Sequence, residues 1–149
     1  MTLVRKSIRQ SYRPNPLVLS VMEEFRLMTN DCIRIGLDFE RRNGNTPSMR
    51  KLCLLSYGQL KHYPVFAQYR LNAISKAAGI LSTRRKSIKR GHPTKDPYLT
   101  KPGLVSCYGF NVENGSLIIH LDSHTLESIP LNRYILRELS KATFEVPLP

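Results

Sequence analysis

Apolar side chains recur every three or four residues in the first two thirds of the chain and every second residue beyond it. Val18, Val21, Phe25, Met28, Cys32, Ile35 and Phe39 follow one another in alternating steps of three and four, which holds them on one side of an α-helix. Asn15-Pro16 ahead of them combines an N-cap with proline at the first helical position. Arg41-Arg42 fall in the last turn, where the macrodipole favours cations, and Gly44 closes the helix. Thr46-Pro47 repeats the start signal and predicts a short helix with Met49, Leu52 and Cys53 inward and Gly58 beyond its end. A third helix is predicted from near Pro64 to about Lys89, with Phe66, Tyr69, Ala73, Ala77 and Ile80 as its stripe and Gly91 as its stop. The small residues Ala73, Ala77 and Ala78 permit close approach of a neighbouring helix.

Residues 92–103 form a polar linker with three prolines. Past it the period becomes two. Tyr108, Phe110 and Val112 alternate with Gly109, Asn111 and Glu113, and Asn114-Gly115 supplies the two φ > 0 positions of a type I′ hairpin turn. Folding there pairs Val112 with Leu117, Phe110 with Ile119 and Tyr108 with Leu121, all on one face. A further strand is expected over residues 125–131, a short helix capped by Asn132 through Leu139, and a last strand over residues 143–146. Residues 3–8 read as a strand with Arg5, Ser7 and Arg9 on one side. Because a lone hairpin is unstable in water, the economical arrangement pairs this first strand with the C-terminal ones. The predicted class is therefore α+β: a small antiparallel sheet or partial barrel from residues 1–13 and 102–149, with a helical insertion over residues 14–101.

Composition narrows the function. The chain has 149 residues and 41% apolar content, enough for a core without disulfide help. It lacks the 18 consecutive apolar residues a bilayer span needs, and Arg5, Lys6 and Arg9 interrupt any signal-peptide core. Cys32, Cys53 and Cys107 each sit in an apolar segment, which points to reduced thiols in a cytosolic compartment. The formal charge is +12, and such a surface attracts polyanions. The excess is uneven. Residues 76–101 carry eight Lys and Arg with Asp96 as their sole acid, whereas residues 102–149 carry three basic and five acidic side chains.

Catalytic signatures are missing: no CxxC, GxSxG or GxxxxGK[ST] occurs. His120, Asp122 and His124 fall within five residues, but the hairpin register turns His120 away from the apolar face and places His124 in the following turn, so the spacing does not converge on a metal. A metal-dependent activity would need these three; a polar sheet face and a turn explain them without one. Arg84, Arg85, Lys86, Lys89, Arg90, His92 and Lys95 lie within twelve residues that contain no acid. The helix dipole accounts for two or three of them; phosphate binding accounts for all. Arg5, Arg9 and Arg13 form a second basic group, expected to border the same groove if the first strand packs beside the linker. Tyr98 and Tyr108 offer rings for base stacking, although buried tyrosine is equally ordinary.

The order of these motifs resembles the N-terminal part of the TnpB (OrfB) family of transposon-associated, RNA-guided DNA nucleases. The features that carry the resemblance begin with a basic strand running into Tyr12-Arg13-Pro14, then a helix with Phe25-Arg26 and Asn30 in an R-x-x-x-N pattern. Tyr63-Pro64 and a helix with Ala73 and Ala77 follow, ending in the basic run from Arg84 to Pro93. Tyr108-Gly109-Phe110-Asn111-Val112 with Asn114-Gly115-Ser116-Leu117-Ile118-Ile119 is similar to the family's first wedge hairpin, and Ile129-Pro130-Leu131 to the strand after it. The resemblance implies a wedge domain with a helical recognition insertion that holds guide RNA or target DNA. By resemblance, Arg5, Arg9, Arg13 and the 84–95 run contact the backbone, while Arg26 and Asn30 are either contacts or helix-packing groups.

The family's nuclease half, with its carboxylate metal ligands and zinc ribbon, has no counterpart before Pro149. The expectation is thus a truncated product, an excised N-terminal piece or a free-standing derivative. It is expected to be a non-enzymatic module without cofactors that binds RNA, DNA or both in the prokaryotic cytoplasm, at the nucleoid, away from membranes, with a C-terminal nuclease domain as a further partner. The alternative is a protein-interaction or dimerisation module of a transposon protein.

Overall fold

The computed structural model describes residues 7–106 and 110–141. Helix α1 spans Pro16–Asn43. The Asn15 side chain accepts from the Val18 amide at its start, and Gly44, at φ 78°, closes its end by donating to the Glu40 carbonyl. Helix α2 spans Met49–Ser56 and runs into a 3-10 turn, Tyr57–Leu60; helix α3 spans Ala67–Lys89. Strands β1 (Phe110–Glu113), β2 (Ser116–His120) and β3 (Leu126–Pro130) form an open antiparallel sheet in the order β1-β2-β3. Helix α4, Arg133–Ser140, follows, its Ile135 amide held by Asn132. The protein is of the α+β class.

The main core lies between the helices, with Leu121 and Phe110 of the hairpin region packed against it. Phe25, Met28, Cys32 and Ile33 of α1 meet Tyr69, Ala73, Ile74, Ala77 and Leu81 of α3, with Leu52 of α2 and Leu121 at the end of the hairpin closing the cluster. Burial of this kind contributes about 1.5–3 kcal/mol for each large side chain. The two long helices approach so closely that a Cβ added to Gly36 would overlap Leu81 Cδ1. Contacts rise in step along both, Gly36 with Leu81, Glu40 with Arg84 and Gly44 with Arg85, so α1 and α3 run parallel and end together.

The hairpin register is the one its alternation demands, Phe110 opposite Ile119 and Val112 opposite Leu117, with Asn114 (φ 50°) and Gly115 (φ 76°) in the turn. Several expectations are corrected. Helix α2 is capped by Ser48, whose hydroxyl accepts from the Lys51 amide, while the Thr46 hydroxyl donates to Glu40; Met49, the first residue of the helix, is 42% exposed and not inward. Helix α3 starts at Ala67, three residues after Pro64. Its buried stripe takes in Ile74 and Leu81, leaving Phe66 and Ile80 half-buried. Of the expected first strand, Ser7 and Ile8 are described and lie outside the sheet; Arg5 and the rest of that strand, Cys107, Tyr108 and the strand over residues 143–146 lie outside the described residues. The segment after Ile8 nevertheless meets the β region: Gln10 donates to the Pro130 carbonyl and accepts from the Asn132 amide. No helix among the described residues is long and apolar enough to cross a membrane.

Candidate nucleic-acid interface

The parallel pairing of α1 and α3 puts two helix C-termini at one end of the molecule, each rich in cations. Arg41 and Arg42 come from α1, and Arg84 through Arg90 from the last turns of α3. Gly91, at φ 85°, ends α3 through bonds from the amides of Arg90, Gly91 and His92 to carbonyls of the last turn. The residues that follow then turn back along α1.

Native partners occupy part of this cluster. Arg84 donates to Glu40 at 2.7 Å and lies 3.8 Å from Asp96, its side chain only 17% exposed. Arg41 bridges Asp96 at 2.5 Å and Asp38 at 3.4 Å. Arg85 donates to the Gly44 carbonyl at 3.4 Å, capping α1. Three acids and a helix end therefore consume Arg41, Arg84 and Arg85. Lys86, Lys89, Arg90, His92 and Lys95 are all exposed, and none of their side chains has a hydrogen bond or ion pair among the described residues. Lys86 and Lys89 border a cleft of about 420 Å³ whose other wall is the loop from Thr46 to Met49.

Arg26 and Asn30, the R-x-x-x-N pair, face inward to the linker. Asn30 accepts from the Leu99 amide at 2.7 Å and donates to the Leu99 carbonyl at 3.0 Å, and Arg26 adds a bond to that carbonyl at 3.2 Å. The Arg26 guanidinium also grips Glu23 through two nitrogens and holds that carboxyl below the usual carboxylate range. With Asp96 tied to Arg41 and Gly103 donating to the Met22 carbonyl, residues 96–103 lie antiparallel to α1 as an anchored strap. The strap turns Tyr98 and Lys101 outward beside Lys76, around a cleft of about 360 Å³.

Arg9 and Arg13 are exposed but precede the N-terminus of α1. A helix of 28 residues is about 40 Å long, so this group and the α3 cluster stand at opposite ends and do not border one groove. The sequence reading also overlooked Lys101 and Lys76, because nothing local shows that the linker lies flat against α1.

The other candidate chemistry is spoken for. Asp122 accepts from the amides of His124 and Thr125 at 2.7 Å each, which turns its own loop and depresses its pKa. The His120 ring stacks on Phe66 with centroids 4.5 Å apart, and its carbonyl accepts from the Tyr69 hydroxyl. Cys32 is fully buried and its thiol pKa is pushed up to about 12, so it is not a nucleophile near neutral pH. Among the described residues no three His, Cys, Asp or Glu side chains converge as metal ligands. No family model matches this chain, and no curated protein matches it.

Proposed function

We propose that the chain is a non-catalytic module that binds nucleic acid through phosphate contacts at the shared end of α1 and α3. One observation carries the reading: Lys86, Lys89, Arg90 and Lys95 are exposed at that end with no carboxylate against them, while neighbouring arginines are neutralised by Glu40, Asp38 and Asp96. A fold that uses its acids to fix Arg41 and Arg84 and leaves the next four cations bare presents a polyanion with charges that need no rearrangement. Duplex and single strand both supply the phosphates, and the resemblance to the TnpB family favours guide RNA or target DNA.

A binding titration followed by fluorescence anisotropy tests this. Four phosphate contacts give a slope of log K against log salt of roughly −4 on duplex and roughly −3 on single strands. Replacing Lys86, Lys89, Arg90 and Lys95 by serine is expected to remove most of that slope, and Arg84 is left in place because it is paired with Glu40. An unchanged slope overturns the assignment. A second reading has its own observation: an apolar cleft of about 430 Å³ between the sheet, α4 and Tyr12, lined by Phe110, Val112, Leu117 and Leu139. A salt-resistant dimer without affinity for polyanions would favour that protein-interaction role.

A further inference from the structure

Tyr98 is 71% exposed, although the chain on either side of it is anchored to the helices. The next residue, Leu99, has both its amide and its carbonyl bonded to α1 through Asn30 and Arg26. Two residues before it, Asp96 is tied to Arg41 and Arg84. A single exposed aromatic needs no explanation on a surface at large. Here, however, the ring is presented by a fixed backbone, has no aromatic or cationic partner among the described residues, and is flanked on the strap by Lys95 and Lys101, with Lys76 across the cleft. Three residues of extended chain span at most about 10 Å, so a ligand on the ring has cations within side-chain reach on both sides.

We infer that Tyr98 is a stacking platform for an unpaired nucleobase, and that the ligand engaging the strap is therefore single-stranded nucleic acid. The proposal rests on the phosphate-binding reading above and adds the strand class. A flat ring between the exposed ammonium groups of Lys95 and Lys101, with Lys76 held over the Phe25 ring across the cleft, matches a single strand, whose bases present their faces and whose backbone carries the charge. A duplex hides those faces in its own stack and gains nothing from Tyr98. The anchored strap lowers the ordering cost of binding, because the backbone that carries the ring is already held at Asp96 and Leu99.

The test compares the intact chain with Tyr98→Ala and Tyr98→Phe, each titrated with a 15-mer of dT, a 15-mer of U, an abasic 15-mer and a 15-base-pair duplex. Base–aromatic stacking lost to alanine costs about 1–3 kcal/mol, or about 5- to 150-fold in affinity. The expected result is a loss in that range for Tyr98→Ala on the dT or U strand, near-native affinity for Tyr98→Phe, and no change for either variant on the abasic strand or the duplex. The dT and U arms tell DNA from RNA as the source of the base. The salt slope of Tyr98→Ala stays native, since no phosphate contact is removed. If the intact chain binds none of the four probes, the phosphate-binding reading fails, and this inference with it. If the intact chain binds and its affinity responds to the lysine substitutions but not to Tyr98→Ala, the stacking assignment alone is overturned. An equal loss on duplex and single strand also overturns it, assigning Tyr98 a structural role.

Discussion

Arg84 and Glu40 form an ion pair across the α1–α3 seam at 2.7 Å, with side chains 17% and 11% exposed. The second carboxylate oxygen of Glu40 accepts from the Thr46 hydroxyl at 2.6 Å, so the pair also fixes the loop that leads into α2. Removing one member strands the other in a poorly solvated place. Arg84→Ala is expected to destabilise the fold by about 3 kcal/mol, whereas Lys89→Ala, at an exposed side chain without an ion-pair partner among the described residues, stays within about 0.5 kcal/mol. Urea denaturation of the two variants checks this. Equal stabilities would mean that Arg84 belongs with the solvent-facing cations.

That pair also marks where sequence reading stops. The caps of α1 and α4 and the hairpin register depend on neighbours a few positions apart, and Asn15, Asn132 and Asn114-Gly115 each sit where those local rules require. The basic run was equally visible as composition. Its division into structural arginines and bare lysines was not, because Glu40 lies 44 residues from Arg84. The same limit hid the strap. Asn30 reads from the sequence as either a contact or a helix-packing group, and its partner, Leu99, is 69 residues away in a stretch with no periodicity at all. The start of α2 was set the same way, since the Thr46 hydroxyl is taken by Glu40 and Ser48 supplies the cap.

Gly36 is required by the close crossing of the long helices. A methyl group there would overlap Leu81 Cδ1 and stand 3.6 Å from Leu52 Cδ1, and both leucines are fully buried. Gly36→Ala is expected to lower stability by about 1–3 kcal/mol through overpacking, despite alanine's better helix propensity. Leu81→Ala alone leaves a cavity and costs about 2–5 kcal/mol. The double variant is expected to be more stable than the sum of the two, since the new methyl occupies vacated space. Strict additivity in a double-mutant cycle would rule the contact out.

Asn30→Ala is a probe of the strap. It leaves the Leu99 amide without an acceptor and takes one of two donors from its carbonyl. A loss of about 1–2 kcal/mol is expected. Protection of the Leu99 amide against hydrogen exchange should fall far more than that of core amides such as Cys32. Asn30→Asp keeps the acceptor for the amide but sets a carboxylate against the carbonyl, so it should rescue only part of the protection. Because Tyr98 is presented by this anchor, weakened single-strand binding in Asn30→Ala, with native duplex binding, is the expected companion result.

The loop after β2 carries an acid-sensitive element. The amide hydrogen bonds from His124 and then Thr125 hold the Asp122 carboxyl below the usual carboxylate range. A pKa that is lower folded than unfolded adds stability above the ordinary aspartate value near 4 and loses it as pH falls through the depressed value. Asp122→Asn can still accept from the two amides but carries no charge. The native chain is therefore expected to exceed this variant in melting temperature at pH 6, and the gap should close as pH is lowered past the native carboxyl's titration. A carbon-detected titration of Asp122 locates that midpoint independently. A midpoint at or above the ordinary aspartate value, or a gap that does not depend on pH, would show that the two amide bonds do not distinguish charged from neutral carboxyl.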